Sequence, residues 1–160
     1  MGQAICQEER RIRAALDTQA ILIEHVGSTS VPELIAKPVI DIVLVVANFA
    51  ADARYVPDLE AARYELQLRE PDFHEHRLLR DHDPHVQIHV FTVGSPEVER
   101  MLLFRNRLRA IPQERELYQR TKRELADRQW EYIQDYADAK SSVVEEIISR
   151  AEADQPRGSA

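Results

Sequence analysis

One acidic residue inside an apolar run of strand length constrains the fold of this chain most. Residues 39–46 read Val-Ile-Asp-Ile-Val-Leu-Val-Val, with Asp41 as the interruption. A run of this length and composition is typical of a buried β-strand. A carboxylate there costs on the order of several kcal/mol unless it is paired, hydrogen-bonded or bound to a metal. We therefore expect a metal ion, a set of cationic side chains, or both, to meet the charge of Asp41.

The bulk properties of the chain limit its class. Its 160 residues, 44% of them hydrophobic, predict one core and a single domain over residues 1–151, with a disordered tail over 152–160. The net charge of −7 makes nucleic acid or a membrane surface an unlikely partner, but it leaves room for a basic pocket that binds one small anion. A single cysteine excludes a disulfide framework, and the absence of a membrane-length apolar run or signal sequence predicts a cytoplasmic protein.

Hydrophobic periodicity predicts an α+β (mixed α/β) fold with a mixed sheet of about five strands and C-terminal helices packed on it. The predicted helices cover residues 4–16, 57–63, 96–110, 113–128 and 131–151. The predicted strands cover residues 20–26, 38–47, 64–69, 77–80 and 85–91. The first two strands are almost entirely apolar, which is typical of central strands. A short helix capped by Ser28 or Ser30 is predicted between them.

The turn Gly27-Ser28 is a candidate anion site. It leaves the first predicted strand and enters the short predicted helix, whose backbone N–H groups and hydroxyl could bind an anion. Such turns more often do no more than cap a helix. Asp41 on the next strand strengthens the functional interpretation, because a phosphate held by backbone groups and a carboxylate that binds Mg²⁺ form a compatible pair.

The same residues resemble a known family. A Gly-Ser turn followed by an aspartate on a strand is similar to the nucleotidyltransferase superfamily motif. The segment IEHVGSTSVPELIAKPVIDI resembles the signature of the GrpB (UPF0157) family, usually EHxGSTxVPGLxAKPxIDI. HVQIHVF, ERMLLFRNRLR, ELYQRTKREL and YADAKSSVVEEII resemble later family blocks. The resemblance implies a nucleotidyltransferase-like fold that binds a nucleoside triphosphate, with ATP expected, and a divalent metal, with Mg²⁺ or Mn²⁺ expected.

Two positions depart from these patterns. Glu33 stands where the family usually has glycine, which predicts a regular rather than a kinked helix after Gly27-Ser28. Val43 stands where the superfamily places its second carboxylate, so Asp41 alone leaves a two-metal mechanism incomplete. His89 is a candidate replacement ligand, because residues 85, 87 and 89 share one face of a predicted strand. His85, on the same face, is expected to point into solvent.

Cationic residues on the C-terminal helices are predicted to serve the same site. Arg105, Lys122 and Lys140 fall within the apolar stripes of three successive helices. Such residues often extend to solvent or pair with a buried acid, but three of them suit a phosphate clamp. The predicted roles are catalytic for Asp41, Arg105 and Lys140, nucleotide-binding for Gly27, Ser28, Lys37 and Lys122, and metal-binding for Asp41 and His89.

Three functions remain open from the sequence. The first is an enzyme that binds a nucleoside triphosphate and a divalent metal, and transfers a nucleotidyl or phosphoryl group to a small molecule or forms an acyl-nucleotide. The second is a non-catalytic domain that binds a nucleotide or a phosphorylated metabolite. The third is a structural domain in which Asp41 is ion-paired to Arg105 or Lys140. A second carboxylate or histidine that reaches Asp41 distinguishes among them.

Overall fold

The computed structural model describes residues 2–34, 39–70, 76–82, 85–128 and 133–154, and Lys37 lies outside them. The helices are α1 (Gly2–Leu16), α2 (Asp52–Ala61), α3 (Pro96–Ala110), α4 (Pro112–Ala126) and α5 (Ile133–Ala153). The strands are β1 (Leu22–Val26), β2 (Ile40–Val46), β3 (Glu65–Glu70), β4 (His76–His82) and β5 (His85–Thr92). In the described part of the chain, each of the five helices and five strands that were predicted by residue range has a counterpart.

The five strands form one mixed sheet in the order β1-β2-β5-β4-β3. β2 and β5 are parallel, and the other neighbouring pairs are antiparallel. The predicted mixed α/β architecture is therefore confirmed. The strand that carries Asp41 lies directly beside the strand that carries His89.

The prediction that the first strand is central is wrong, because β1 is an edge strand of the sheet. Only Ile23 and Val26 of its five residues are buried. β2 is an interior strand between β1 and β5, and every residue of it except Asp41 is buried. An apolar sequence indicates that both faces of a strand are buried, but it does not show how many neighbouring strands are hydrogen-bonded to it. The sequences of β1 and β2 therefore looked alike.

One sheet face carries the main core, which α1 and α2 cover. Ile12 and Leu16 of α1, with Tyr55 and Leu59 of α2, pack against residues of β2 and β5 such as Ile42 and Ile88. α2 begins five residues before its predicted start and includes Pro57. Residues 55, 56 and 59 are buried on one side of the helix, and this burial outweighs the local cost of the proline.

The segment after Gly27 differs from the prediction. Its described residues 28–34 contain only a three-residue 3-10 helix, Ser28–Ser30, in place of the helix whose N-terminus was predicted to hold an anion. Glu33 has a φ of +72°, a left-handed conformation that favours glycine. The expected regular helix at Glu33 is therefore wrong, since this chain keeps the glycine-type backbone with a glutamate.

The contacts divide the chain into two compact units. Unit 1 comprises Met1–Ser30 and Ala36–Val98, and unit 2 comprises Val31–Ile35 and Glu99–Ala160. Unit 2 has its own apolar core, which includes Leu34, Leu108, Tyr118 and Ile147. A single domain over residues 1–151 stays a prediction, and residues 155–160 of the predicted tail lie outside the described ranges. Among the helices that the structure describes, none is long and apolar enough to cross a membrane.

Candidate functional site

Asp41 and His89 are brought together by the parallel pairing of β2 and β5. Asp41 lies opposite Gln87, and Val43 lies opposite His89, so all four side chains share one sheet face. Nε2 of His89 is 3.3 Å from Oδ1 of Asp41. Their side chains are 21% and 27% exposed, respectively. The carboxylate is therefore only partly desolvated, which lowers the cost that the apolar sequence around it implied.

A chain of polar side chains orients the Asp41 carboxylate. The hydrogen-bond partners of Gln87 fix the orientation of its side-chain amide. Its NH2 group donates to Oδ1 of Asp41 at 3.2 Å, and its oxygen accepts from Nη2 of Arg80 at 3.0 Å. Arg80 lies opposite Gln87 on β4. Strand alternation predicts residue 87 on this face, but the sequence gives no sign of Arg80. Only the β4–β5 register, which the sequence does not specify, would have revealed it.

Gly27 lies directly against the other oxygen of the same carboxylate. Its φ is +75°, and a Cβ added there would lie 2.6 Å from Oδ2 of Asp41. The antiparallel pairing of Val26 with Asp41 sets this approach. A glycine is required both by the backbone conformation and by the close carboxylate, so the predicted proximity of Gly27 to Asp41 is confirmed.

Hydroxyl groups hold the turn after Gly27 against the start of β2. Oγ of Ser30 donates to the Gly27 carbonyl at 2.5 Å, and Oγ1 of Thr29 donates to the Val39 carbonyl at 2.7 Å. Nε2 of His25 is 3.0 Å from Oγ1 of Thr29. Because the Thr29 proton is directed to a carbonyl, His25 is the donor of this pair and carries its proton on Nε2. Ser28, partly buried, begins the 3-10 helix within this turn.

Asp41 differs in its partners from Asp81 and Asp52, two other acids of unit 1 that are at least partly buried. Asp81 is paired with Arg11 at 2.9 Å, and Asp52 with Arg77 at 3.1 Å. In the described part of unit 1, Asp41 has histidine and glutamine partners but no lysine or arginine partner. An acid that the fold leaves without a permanent cation is a better candidate for binding an exchangeable one.

The donor set at Asp41 fits one metal ion. Two ligands in adjacent positions around an ion, each about 2.1 Å from it, lie about 3 Å apart. The 3.3 Å between Asp41 and His89 is close to that separation. The same site does not fit two ions, because Val43 has no side-chain donor atom, and the described residues contain no group of three or more His, Cys, Asp or Glu side chains able to hold a metal.

The predicted cations of the C-terminal helices lie in unit 2. Arg105 is partly buried on α3, where its Nε and Nη2 atoms donate to Oδ1 of Asn106 at 3.1 and 3.0 Å. Lys140 is partly buried on α5. Lys122 on α4 lies 5.3 Å above the ring of Tyr118. Their predicted approach to Asp41 stays a prediction, as does the role of Lys37. His85 is exposed, as predicted.

Comparisons with known proteins identify the family of the chain. The family described as GrpB protein matches residues 3–150. A UPF0157 protein of Halalkalibacterium halodurans is 52% identical over 147 residues, covering 92% of this chain and 75% of the relative. Another from Streptomyces coelicolor is 46% identical over 150 residues, covering 94% and 78%. The crystal structure of the conserved protein GrpB from Enterococcus faecalis superimposes with a TM-score of 0.78 at 28% identity, covering 93% of this chain and 90% of that one. The chain therefore belongs to the GrpB family.

Proposed function

We propose that this protein binds a nucleoside triphosphate through one divalent metal ion at Asp41 and His89, and that it transfers a nucleotidyl or phosphoryl group or forms an acyl-nucleotide. The observation that supports the proposal is the 3.3 Å separation of Oδ1 of Asp41 from Nε2 of His89. ATP is the proposed nucleotide, by resemblance to nucleotidyltransferases.

The pair of ligands bears on the choice of metal. A carboxylate alone suits Mg²⁺, but an imidazole favours Mn²⁺, Zn²⁺, Fe²⁺ or Ni²⁺. We therefore propose Mn²⁺ ahead of Mg²⁺. When bound, such an ion supplies positive charge that neutralises phosphate oxygens.

The residues of this chain would each contribute a defined part. Gln87, held by Arg80, fixes the orientation of the Asp41 carboxylate, so the site is organised before a ligand arrives. Gly27 leaves the Asp41 carboxylate room beside the main chain. In the proposal, the backbone at Gly27 and Ser28 binds phosphate oxygens, and Lys37 and Lys122 hold the nucleotide. Arg105 and Lys140 stabilise the charge that develops during transfer.

One observation favours a second candidate, a non-catalytic nucleotide or phosphorylated-metabolite binding domain. Val43, at the position of the second superfamily carboxylate, is fully buried and unable to bind a metal. A single ion can hold a nucleotide without the two-metal arrangement that many transfer reactions use. In this case the site keeps the affinity for metal and nucleotide but has no turnover.

Separate measurements of binding and of turnover test these candidates. ATP affinity is measured with and without Mn²⁺, and ATP labelled at the α- or γ-phosphate is followed for product formation with candidate acceptors. Mn²⁺-dependent binding that is lost in Asp41→Asn and kept in His85→Gln supports the site, and labelled product in addition supports the enzyme. Mn²⁺-dependent binding without product supports the second candidate. ATP binding that is independent of both Mn²⁺ and Asp41 contradicts both.

A further inference from the structure

A basic groove lies within unit 2, along α4. It has a volume of about 400 Å³ and is lined by Glu33, Arg115, Glu116, Gln119, Arg120 and Arg123. Arg115, Gln119 and Arg123 are four residues apart and form one ridge of the helix, and Glu116 and Arg120 form the next. Three guanidinium groups therefore open onto one small concave surface.

Arg115 is the fixed cation of the groove. Its Nη1 atom donates to the carbonyls of Leu108 and Arg109 at 2.9 and 3.3 Å, in the last turn of α3. Its side chain is only 16% exposed. These contacts hold the guanidinium in place before any ligand is present, which reduces the entropy lost on binding.

Arg120 and Arg123 are the groove's uncommitted cations. Both are exposed, and neither makes a side-chain hydrogen bond or ion pair with another described residue. The chain has 28 acidic and 21 basic residues, so carboxylate partners are plentiful. Elsewhere in unit 2, Arg107 and Arg150 both bind Glu114. Arg120 and Arg123 lie beside Arg115 and have no acidic partner among the described residues. Such a cluster of cations is typical of an anion-binding surface.

Glu33 already occupies the groove with an anionic group. Its Oε2 atom lies 3.1 Å from Nη2 of Arg115, and its side chain is 78% exposed. Carboxylate and phosphate oxygens bind a guanidinium with similar geometry. The exposed Glu33 carboxylate is thus in the place that a ligand oxygen would take, on a guanidinium that two carbonyls of α3 already hold.

We propose that this groove binds a small oligophosphate of two or three phosphate groups, with Arg115 as the fixed contact, Arg120 and Arg123 as additional ones, and the Glu33 carboxylate as an internal competitor. The volume matches a ligand of that size. Two acids among the five charged lining residues, together with the net charge of −7, disfavour a long nucleic acid strand. This inference does not rest on Asp41 or on a metal.

Calorimetric titration with inorganic tripolyphosphate, in excess chelator and low salt, tests the proposal. We expect saturable binding by the wild type. The double variant Arg120→Ala/Arg123→Ala should bind at least about tenfold more weakly, because each charged hydrogen bond is worth about that factor. Glu33→Gln should bind about three- to tenfold more tightly, because it removes the competing charge. Arg13→Ala, an exposed arginine of α1 in unit 1, is the matched control and should bind as the wild type does.

The chelator separates this test from the proposed function, which requires a metal. Arg115 is left unchanged because it also caps α3, and circular dichroism of each variant verifies the fold. No binding by the wild type, or equal binding by the double variant and the wild type, would overturn the groove as an oligophosphate site. An oligonucleotide that binds more tightly than tripolyphosphate, with affinity rising with its length, would also overturn the proposal.

Discussion

The main chain of Gly27 lies directly against the Asp41 carboxylate, so that only a glycine fits at position 27. The pairing of β1 with β2 places the Asp41 carboxylate against the Gly27 main chain, where a Cβ would lie 2.6 Å from Oδ2 and 3.1 Å from the Asp41 Cβ. Gly27, the glycine of the GrpB signature segment, therefore shapes the carboxylate site directly. This contact connects two parts of the motif that are separated in the sequence by the short turn.

Gly27→Ala should destabilise the protein and displace the Asp41 carboxylate. Gly94→Ala is the matched control, because Gly94 also has a positive φ (+86°) but no described atom within 4 Å of an added Cβ. We expect a loss of about 1 kcal/mol in unfolding free energy for Gly94→Ala from backbone strain alone, and about 2 kcal/mol for Gly27→Ala. Only Gly27→Ala should also lose Mn²⁺ affinity. Equal stability losses with Mn²⁺ binding intact in both would contradict the contact.

His89→Gln should weaken Mn²⁺ binding about ten- to hundredfold by removing one ligand. His85→Gln, on the same strand face four residues away, should leave it unchanged because His85 is exposed. Calorimetric titration of Mn²⁺ into each variant and the wild type tests this. Equal Mn²⁺ affinity in His89→Gln and the wild type would exclude His89 as the ligand.

The sequence predicted the parts of this site that depend on strand periodicity. Alternation along residues 85–91 placed His89 on a polar face, and the apolar run around Asp41 indicated a buried strand, which the structure places beside β5. It did not predict the Gln87–Arg80 pair, because cross-strand register depends on the β4–β5 connection rather than on local pattern. It also misjudged the turn after Gly27, where hydroxyl-to-carbonyl bonds of Thr29 and Ser30 replace a helix.

Glu114 should contribute to stability in a pH-dependent way. Hydrogen bonds from Arg150, and then from Arg107, hold its pKa below the ordinary value of 4.5, although burial opposes this. A lowered native pKa means that the stabilisation is complete above the ordinary pKa and is lost as the pH falls through the native value. Glu114→Gln should cost about 1–3 kcal/mol near neutral pH and reduce the acid sensitivity. Urea unfolding at several pH values tests this, and a constant difference between variant and wild type down to about pH 3 would contradict it.

Glu33→Gly should raise the unfolding free energy slightly. The positive φ of Glu33 costs about 1 kcal/mol more with a side chain than with glycine. The ion pair with Arg115 that would be lost is worth little, because the Glu33 side chain is 78% exposed. We expect a net gain of about 0.5–1 kcal/mol by chemical denaturation. A loss of stability would mean that the Arg115 contact outweighs the backbone strain.

Asp41→Asn should leave the metal-free fold almost unchanged. Asp41 is partly exposed, and its partners in unit 1 are a histidine and a glutamine rather than an arginine or lysine. Without metal, we expect the unfolding free energy to change by less than about 1 kcal/mol. A small increase is consistent with the removal of a partly buried charge. If Asp41 were instead a structural ion-pair partner, the substitution would cost about 3–5 kcal/mol. Thermal melts with and without Mn²⁺ and ATP distinguish the two, since only the wild type should be stabilised by the ligands.

The stoichiometry of Mn²⁺ bound by the wild type and by Asp41→Asn, measured by electron paramagnetic resonance of free Mn²⁺, tests the central claim most directly. The single carboxylate–imidazole pair predicts one ion per chain in the wild type, with affinity that rises when ATP is present. It also predicts loss of that ion in Asp41→Asn under the same conditions. Two ions per wild-type chain, or one ion bound equally well by Asp41→Asn, would contradict the metal site proposed at Asp41 and His89.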